Sequence, residues 1–89
     1  MGSKYLRILR QIVLDNRLTN VETKIFFYLI GESRTATMLA EELGIAQPTA
    51  SKAAVRLQKL SLLKEDRTEG RNKFLTANLD NLLKAERGW

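Results

Sequence analysis

The 89-residue sequence has no cysteine and no histidine. Disulfide staples, thiolate chemistry and imidazole bases are therefore excluded, and a metal site would have to be assembled from carboxylates alone. Proline occurs once, at Pro48, and glycine five times. No Pro/Gly-rich linker, low-complexity tract or internal repeat interrupts the chain. No apolar run approaches the roughly 20 residues that span a bilayer, and the opening MGSKYLRILR lacks the continuous apolar segment of a signal peptide. These absences predict a soluble, cytoplasmic protein with no membrane partner, no metal and no cofactor. The length predicts a single domain over 1–89 with a modest core.

A further absence is local. GIAQPTASKAAVRLQKLSLL, Gly44 to Leu63, contains no acidic residue, although the chain carries ten Asp plus Glu against fifteen Lys plus Arg, a net charge of +5. Residues 1–18 hold Lys4, Arg7, Arg10 and Arg17 against Asp15, whereas residues 19–45 are net acidic through Glu22, Glu32, Glu41 and Glu42. Residues 46–60 then carry Lys52, Arg56 and Lys59 unopposed. Localised positive charge of this kind is an electrostatic footprint for phosphate.

Apolar spacing organises the chain into helices. Tyr5, Leu6, Ile8, Leu9, Ile12 and Val13 recur at helical intervals over Ser3–Asn16, leaving Lys4, Arg7, Arg10 and Gln11 on the other side. Thr19 followed by Glu22 is a capping-box signature for a second helix that buries Val21, Ile25, Phe26, Leu29 and Ile30, with Gly31 at its end. Ser33-Arg34-Thr35 has room for a brief strand, and Thr35 is a candidate N-cap for a third helix burying Leu39, Ala40 and Leu43. Gly44 permits the positive φ of a sharp turn. A fourth helix starts at Gln47-Pro48, where the missing proline N–H costs nothing, and turns Ala50, Ala54 and Leu57 inward, followed by Leu60. Leu62–Asp66 and Asn72–Thr76 read as two strands around a polar loop, Arg67–Arg71, with Phe74 alternating with Asn72 and Thr76 in a half-buried hairpin. Asn78 or Asp80 then caps a last helix carrying Leu79, Leu82 and Leu83.

The stretches LTNVETKIFFYL (18–29), TATMLAEELGIAQPTASKAAVRLQKLSLL (35–63) and EDRTEGRNKFLT (65–76) together resemble the winged helix-turn-helix DNA-binding superfamily, in the MarR-like pattern. The resemblance covers about two-thirds of the chain and rests chiefly on Leu39-Ala40, Leu43-Gly44-Ile45 and Thr49-Ala50-Ser51. It implies a mainly α fold with a small β-hairpin and additional N- and C-terminal helices, the helix-turn-helix at about 35–60 and the wing at about 62–76. Ala46 departs from the pattern, since a capping side chain often stands there.

With Ala50, Ala54 and Leu57 inward, Pro48, Lys52, Val55 and Lys59 point away from the core, flanked by Gln47, Ser51 and Arg56. Gln and Arg make bidentate contacts with adenine and guanine edges, and Ser and Lys hold phosphates. The expected double-stranded DNA site is Gln47, Pro48, Thr49, Ser51, Lys52, Arg56 and Lys59, assisted by Arg67, Arg71 and Lys73 from the wing. The apolar stripe of the first helix, with Leu79, Leu82, Leu83 and Trp89, predicts a homodimer through the terminal helices. The expected function is a homodimeric transcriptional regulator. A DNA-binding adaptor of a partition system similar to the TubR type, or a replication-initiation module, uses the same face, and a protein-interaction winged helix is the alternative outside DNA binding. Enzymatic activity is not expected: the acid pairs Glu41-Glu42 and Glu65-Asp66 have no His, Cys or phosphate-binding loop behind them.

Overall fold

The computed structural model describes residues 2–80, with side chains from Leu6 onward. The first helix, α1 (Gly2–Asp15), inserts Ile8 and Leu9 into the core and leaves Leu6 and Leu14 exposed. Helix α2 (Asn20–Tyr28) starts with a complete capping box: the Glu22 N–H donates to Thr19 Oγ1 at 3.2 Å and the Thr19 N–H to Glu22 Oε1 at 2.8 Å. It buries Ile25 and Phe26, and Leu29 follows at its C-cap. Arg34 forms a one-residue bridge to Leu75 through bonds of 3.0 and 2.9 Å, the brief strand expected near Ser33–Thr35.

Helix α3 (Ala36–Leu43) opens on the Thr35 side chain, which accepts from the Met38 N–H at 3.1 Å, and closes on Gly44 at φ +66°. An L side chain there would be strained by about 1–2 kcal/mol, which is why this turn takes glycine. Helix α4 (Gln47–Lys59) follows after two residues. Its N-cap, Ala46, supplies no side-chain bond, so Pro48 in the first turn is the local start signal. Ala50, Ala53, Ala54 and Leu57 are buried, one alanine more than the sequence periodicity indicated. This alanine-rich face lets α4 lie close to both α2 and α3, and Leu57, Leu39 and Leu29 are fully buried in the one core the helices share. Each fully buried Leu, Ile or Phe contributes about 1.5–3 kcal/mol of transfer free energy.

Strands β1 (Leu63–Glu69) and β2 (Asn72–Ala77) pair antiparallel, with Leu63 opposite Ala77 and Glu69 opposite Asn72. Two features differ from the sequence reading. The strands run further than expected, reducing the five-residue loop to Gly70-Arg71, with Gly70 at φ +62° in the first of the two turn positions. The buried face also belongs to Leu75 and Ala77 rather than to Phe74, because alternation places the core contact of β2 one residue later. Asp66 is the extra residue of a bulge between Glu65 and Arg67, and its carboxylate accepts from Ser33 Oγ at 2.6 Å, fastening the hairpin to the segment before α3. At the chain's end Leu79 packs on the core, and the Asp80 N–H donates to Asn78 Oδ1 at 3.2 Å. Leu82, Leu83 and Trp89 lie outside the described residues, as does the Tyr5 side chain. No helix among the described residues is long and apolar enough to cross a membrane.

Candidate nucleic-acid interface

Burial of the alanine face rotates the other side of α4 into solvent. Gln47, Pro48, Thr49, Lys52, Val55 and Lys59 are exposed and Ser51 is half-buried. Lys52 and Lys59 make no hydrogen bond or ion pair among the described residues, so both ammonium groups are available to a ligand. Gln47 is partly committed: its Nε2 donates to Thr37 Oγ1 at 2.8 Å, tying the first turn of α4 to the first turn of α3. Val55 is an apolar residue on this surface at 49% exposure, opposite in character to the cations above and below it.

An open groove of about 280 Å³ separates α4 from the hairpin. Thr37, Ser51 and Val55 line one side and Arg71, Asn72 and Lys73 the other. The fold thus brings together Ser51, Arg71 and Lys73, which are far apart in sequence. A second hollow, of about 320 Å³, lies where α4 meets the start of α2, lined by Thr19, Glu22, Thr49, Lys52 and Arg56. Gln47, Pro48, Lys59 and Arg67 line neither.

Two of the expected site residues are placed differently from the sequence reading. Arg56 does not simply flank the outward face. Its Nη1 donates to the buried Glu22 carboxylate and its Nη2 to the Asn16 carbonyl at 3.0 Å, both partners lying more than thirty residues earlier. Arg67 stands inside β1 rather than in the turn. Its guanidinium lies 4.0 Å from the centre of the Phe74 ring, the residue paired across the strands, and donates to Glu69 at 2.6 Å and Asp66 at 3.3 Å. Hydrogen bonding to Glu69, reinforced by the charges of Glu69 and Asp66, raises the Arg67 pKa above its ordinary value. Arg71 occupies the turn itself and, with Lys73, is exposed without a charged partner among the described residues.

Four helices, the Gly44 turn between α3 and α4, and a hairpin returning beside α4 form an arrangement seen in other proteins. The chain superposes on the transcriptional regulator HlyU of Vibrio vulnificus CMCP6 with a TM-score of 0.70 at 16% identity, over 99% of this chain and 97% of that one. The chain has the winged helix-turn-helix fold. This winged helix also matches the adhesin competence repressor AdcR of Streptococcus pyogenes, with a TM-score of 0.68 at 25% identity over 99% of this chain and 71% of that one. NolR of Sinorhizobium fredii gives 0.68 at 16% identity over 98% and 86%. No family model and no curated protein sequence matches the chain.

Three residues that the sequence reading did not assign to the site border it. Thr37 and Asn72 line the groove, and Glu22 is the buried acid that holds Arg56. Thr37 had a discernible signal, since a polar residue in the first turn of α3 lies at the same end of the motif as Gln47. Glu22 had none beyond its cap, because its second partner is distant in sequence. At the root of the wing, Glu42 accepts from the Tyr28 hydroxyl and from Arg34 Nε at 3.1 Å. These bonds, Tyr28 first and Arg34 second, lower the Glu42 pKa below its ordinary value. The described residues contain no cluster of three or more His, Cys, Asp or Glu side chains suited to a metal ion.

Proposed function

We propose that this winged helix is a sequence-specific double-stranded DNA-binding protein acting as a homodimeric transcriptional regulator. The observation that carries the reading is the outward face of α4. It presents the Gln47 amide, the Thr49 and Ser51 hydroxyls and the uncommitted ammonium groups of Lys52 and Lys59, with no carboxylate on the helix. Such a face combines groups that hold phosphates with groups that bond base edges in the major groove, while Val55 suits the thymine methyl. Across the groove, Arg71 and Lys73 sit where a wing would touch flanking phosphate or a minor groove. Two structural neighbours, the transcriptional regulator HlyU and the repressor AdcR, support this role.

We place the dimer contact at α1, where Leu6 and Leu14 are 60% and 62% exposed and offer apolar surface that a second copy would cover. A two-fold pair would read two half-sites. Selection from a random duplex pool near physiological salt tests the reading. Enrichment of an inverted repeat supports a dimeric regulator, tandem repeats point instead to a partition or replication role, and retention of no duplex refutes DNA reading and favours a protein partner.

A further inference from the structure

Arg56 lies one turn from Lys52 and one turn from Lys59, yet its guanidinium is bonded to α2 and to the end of α1, although 42% of the side chain stays exposed. Three elements meet at this group. The Asn16 carbonyl, just past α1, accepts from Nη2 at 3.0 Å, while Nη1 donates to Glu22 in the first turn of α2. The same Glu22 Oε1 accepts the Thr19 N–H at 2.8 Å, so the acid is shared between the cap of α2 and a side chain of α4. Asn16 is itself fixed, through its N–H and its side-chain amide, to the Ile12 carbonyl at 3.1 and 2.8 Å. Glu22 is only 5% exposed. A carboxylate so enclosed is costly to leave without its cation, and a planar fork reaches two acceptors in fixed directions as an ammonium does not.

We propose that Arg56 is a positioning residue: by clamping α4 to the end of α1 and the start of α2 it sets how the outward face is presented, and so governs discrimination between duplexes without contacting DNA. The functional half of this proposal rests on the DNA-binding reading. The clamp itself is testable without DNA. Neither Lys52 nor Lys59 reaches another element by a bond among the described residues, so Arg56 is the cation of α4 through which a change at α1 or α2 would reach the reading face.

The decisive variants are Glu22→Gln, Arg56→Ala and Arg56→Lys in the full chain, compared at a temperature where circular dichroism shows each folded. Glu22→Gln removes a negative charge beside the DNA face, so simple electrostatics predicts tighter binding. A clamp predicts the opposite in specificity: the ratio of affinities for the selected duplex over single-mismatch duplexes falls severalfold at all base positions in Glu22→Gln and Arg56→Ala alike. The salt slope stays at the wild-type value, because no phosphate contact is lost, and Arg56→Lys does not restore the ratio. Without DNA, both variants speed amide hydrogen exchange at Leu18 and along α4. The proposal is overturned if Arg56→Ala lowers the salt slope by about one, or loses discrimination at one base pair only, while Glu22→Gln behaves as wild type. If the wild-type chain prefers no duplex, the DNA-binding reading has failed and exchange alone decides: acceleration in both variants keeps the clamp, and unchanged exchange removes it.

Discussion

Helix α4 and the wing carry similar numbers of cations, Lys52, Arg56 and Lys59 against Lys64, Arg67, Arg71 and Lys73, but hold them very differently. On α4, Lys52 and Lys59 face water with no acid on the helix. On the hairpin, Glu65, Asp66 and Glu69 share β1 with Arg67, whose guanidinium is consumed by Glu69, Asp66 and the Phe74 ring. Of the hairpin's cations, Arg71 in the turn and Lys73 beyond it have no charged partner among the described residues. What matters to a polyanion is the cation that has no partner already, and that property depends on register and packing rather than on composition.

Substitutions can break this contrast, starting with the most severe. Lys52→Glu would place the first carboxylate on the outward face of α4, and duplex affinity should fall by about one to two orders of magnitude, measured by fluorescence anisotropy. Lys52→Ala should be milder and flatten the salt slope by about one unit if the ammonium holds a phosphate. Arg71→Ala should weaken binding severalfold and nearly equally for all sequences, as befits a flanking contact. Arg67→Ala is the sharpening control. It removes the same formal charge four residues earlier, yet duplex affinity should stay within about twofold of wild type, with a small loss of melting temperature from the lost ring stacking. An Arg67→Ala effect equal to that of Arg71→Ala would erase the distinction between paired and free cations.

The smallest expected effect concerns the root of the wing. Glu42 accepts from Tyr28 and Arg34, and Arg34 also bridges to Leu75 of β2 through its backbone. Because these bonds lower the Glu42 pKa in the folded chain, its contribution to stability is complete above the ordinary carboxylate pKa. It is lost as pH falls through the lowered value. Glu42→Gln should therefore leave melting at neutral pH slightly reduced and make it less sensitive to acid than wild type. Melting curves from pH 7 to pH 3 check this, and a steeper acid loss in the variant would contradict it.

The helix-turn-helix was legible because its signals are local. Thr35, Gly44 and Pro48 each act within one turn of the chain, and the structure places their cap, left-handed turn and helix start at those positions. The capping box of Thr19 and Glu22 was legible for the same reason. The hairpin was half legible. Gly70 marked the turn, but the bulge at Asp66 shifts the register, and the buried alternation in β2 follows Leu75 and Ala77, which only packing against the helices decides. Arg56 was beyond local reasoning altogether. Its position on the helix was read correctly, but its partners, Glu22 and Asn16, are 34 and 40 residues away, and no periodicity announces an ion pair across the fold.

The central claim, that the outward face of α4 and the hairpin turn are the surface that meets DNA, is tested most directly by amide chemical-shift mapping of the labelled protein as a selected duplex is added. The account predicts perturbations concentrated on 47–59 and 70–73, with the Glu65–Thr68 stretch of β1 largely unchanged. Perturbations centred on β1 or on α1, with α4 silent, would contradict it.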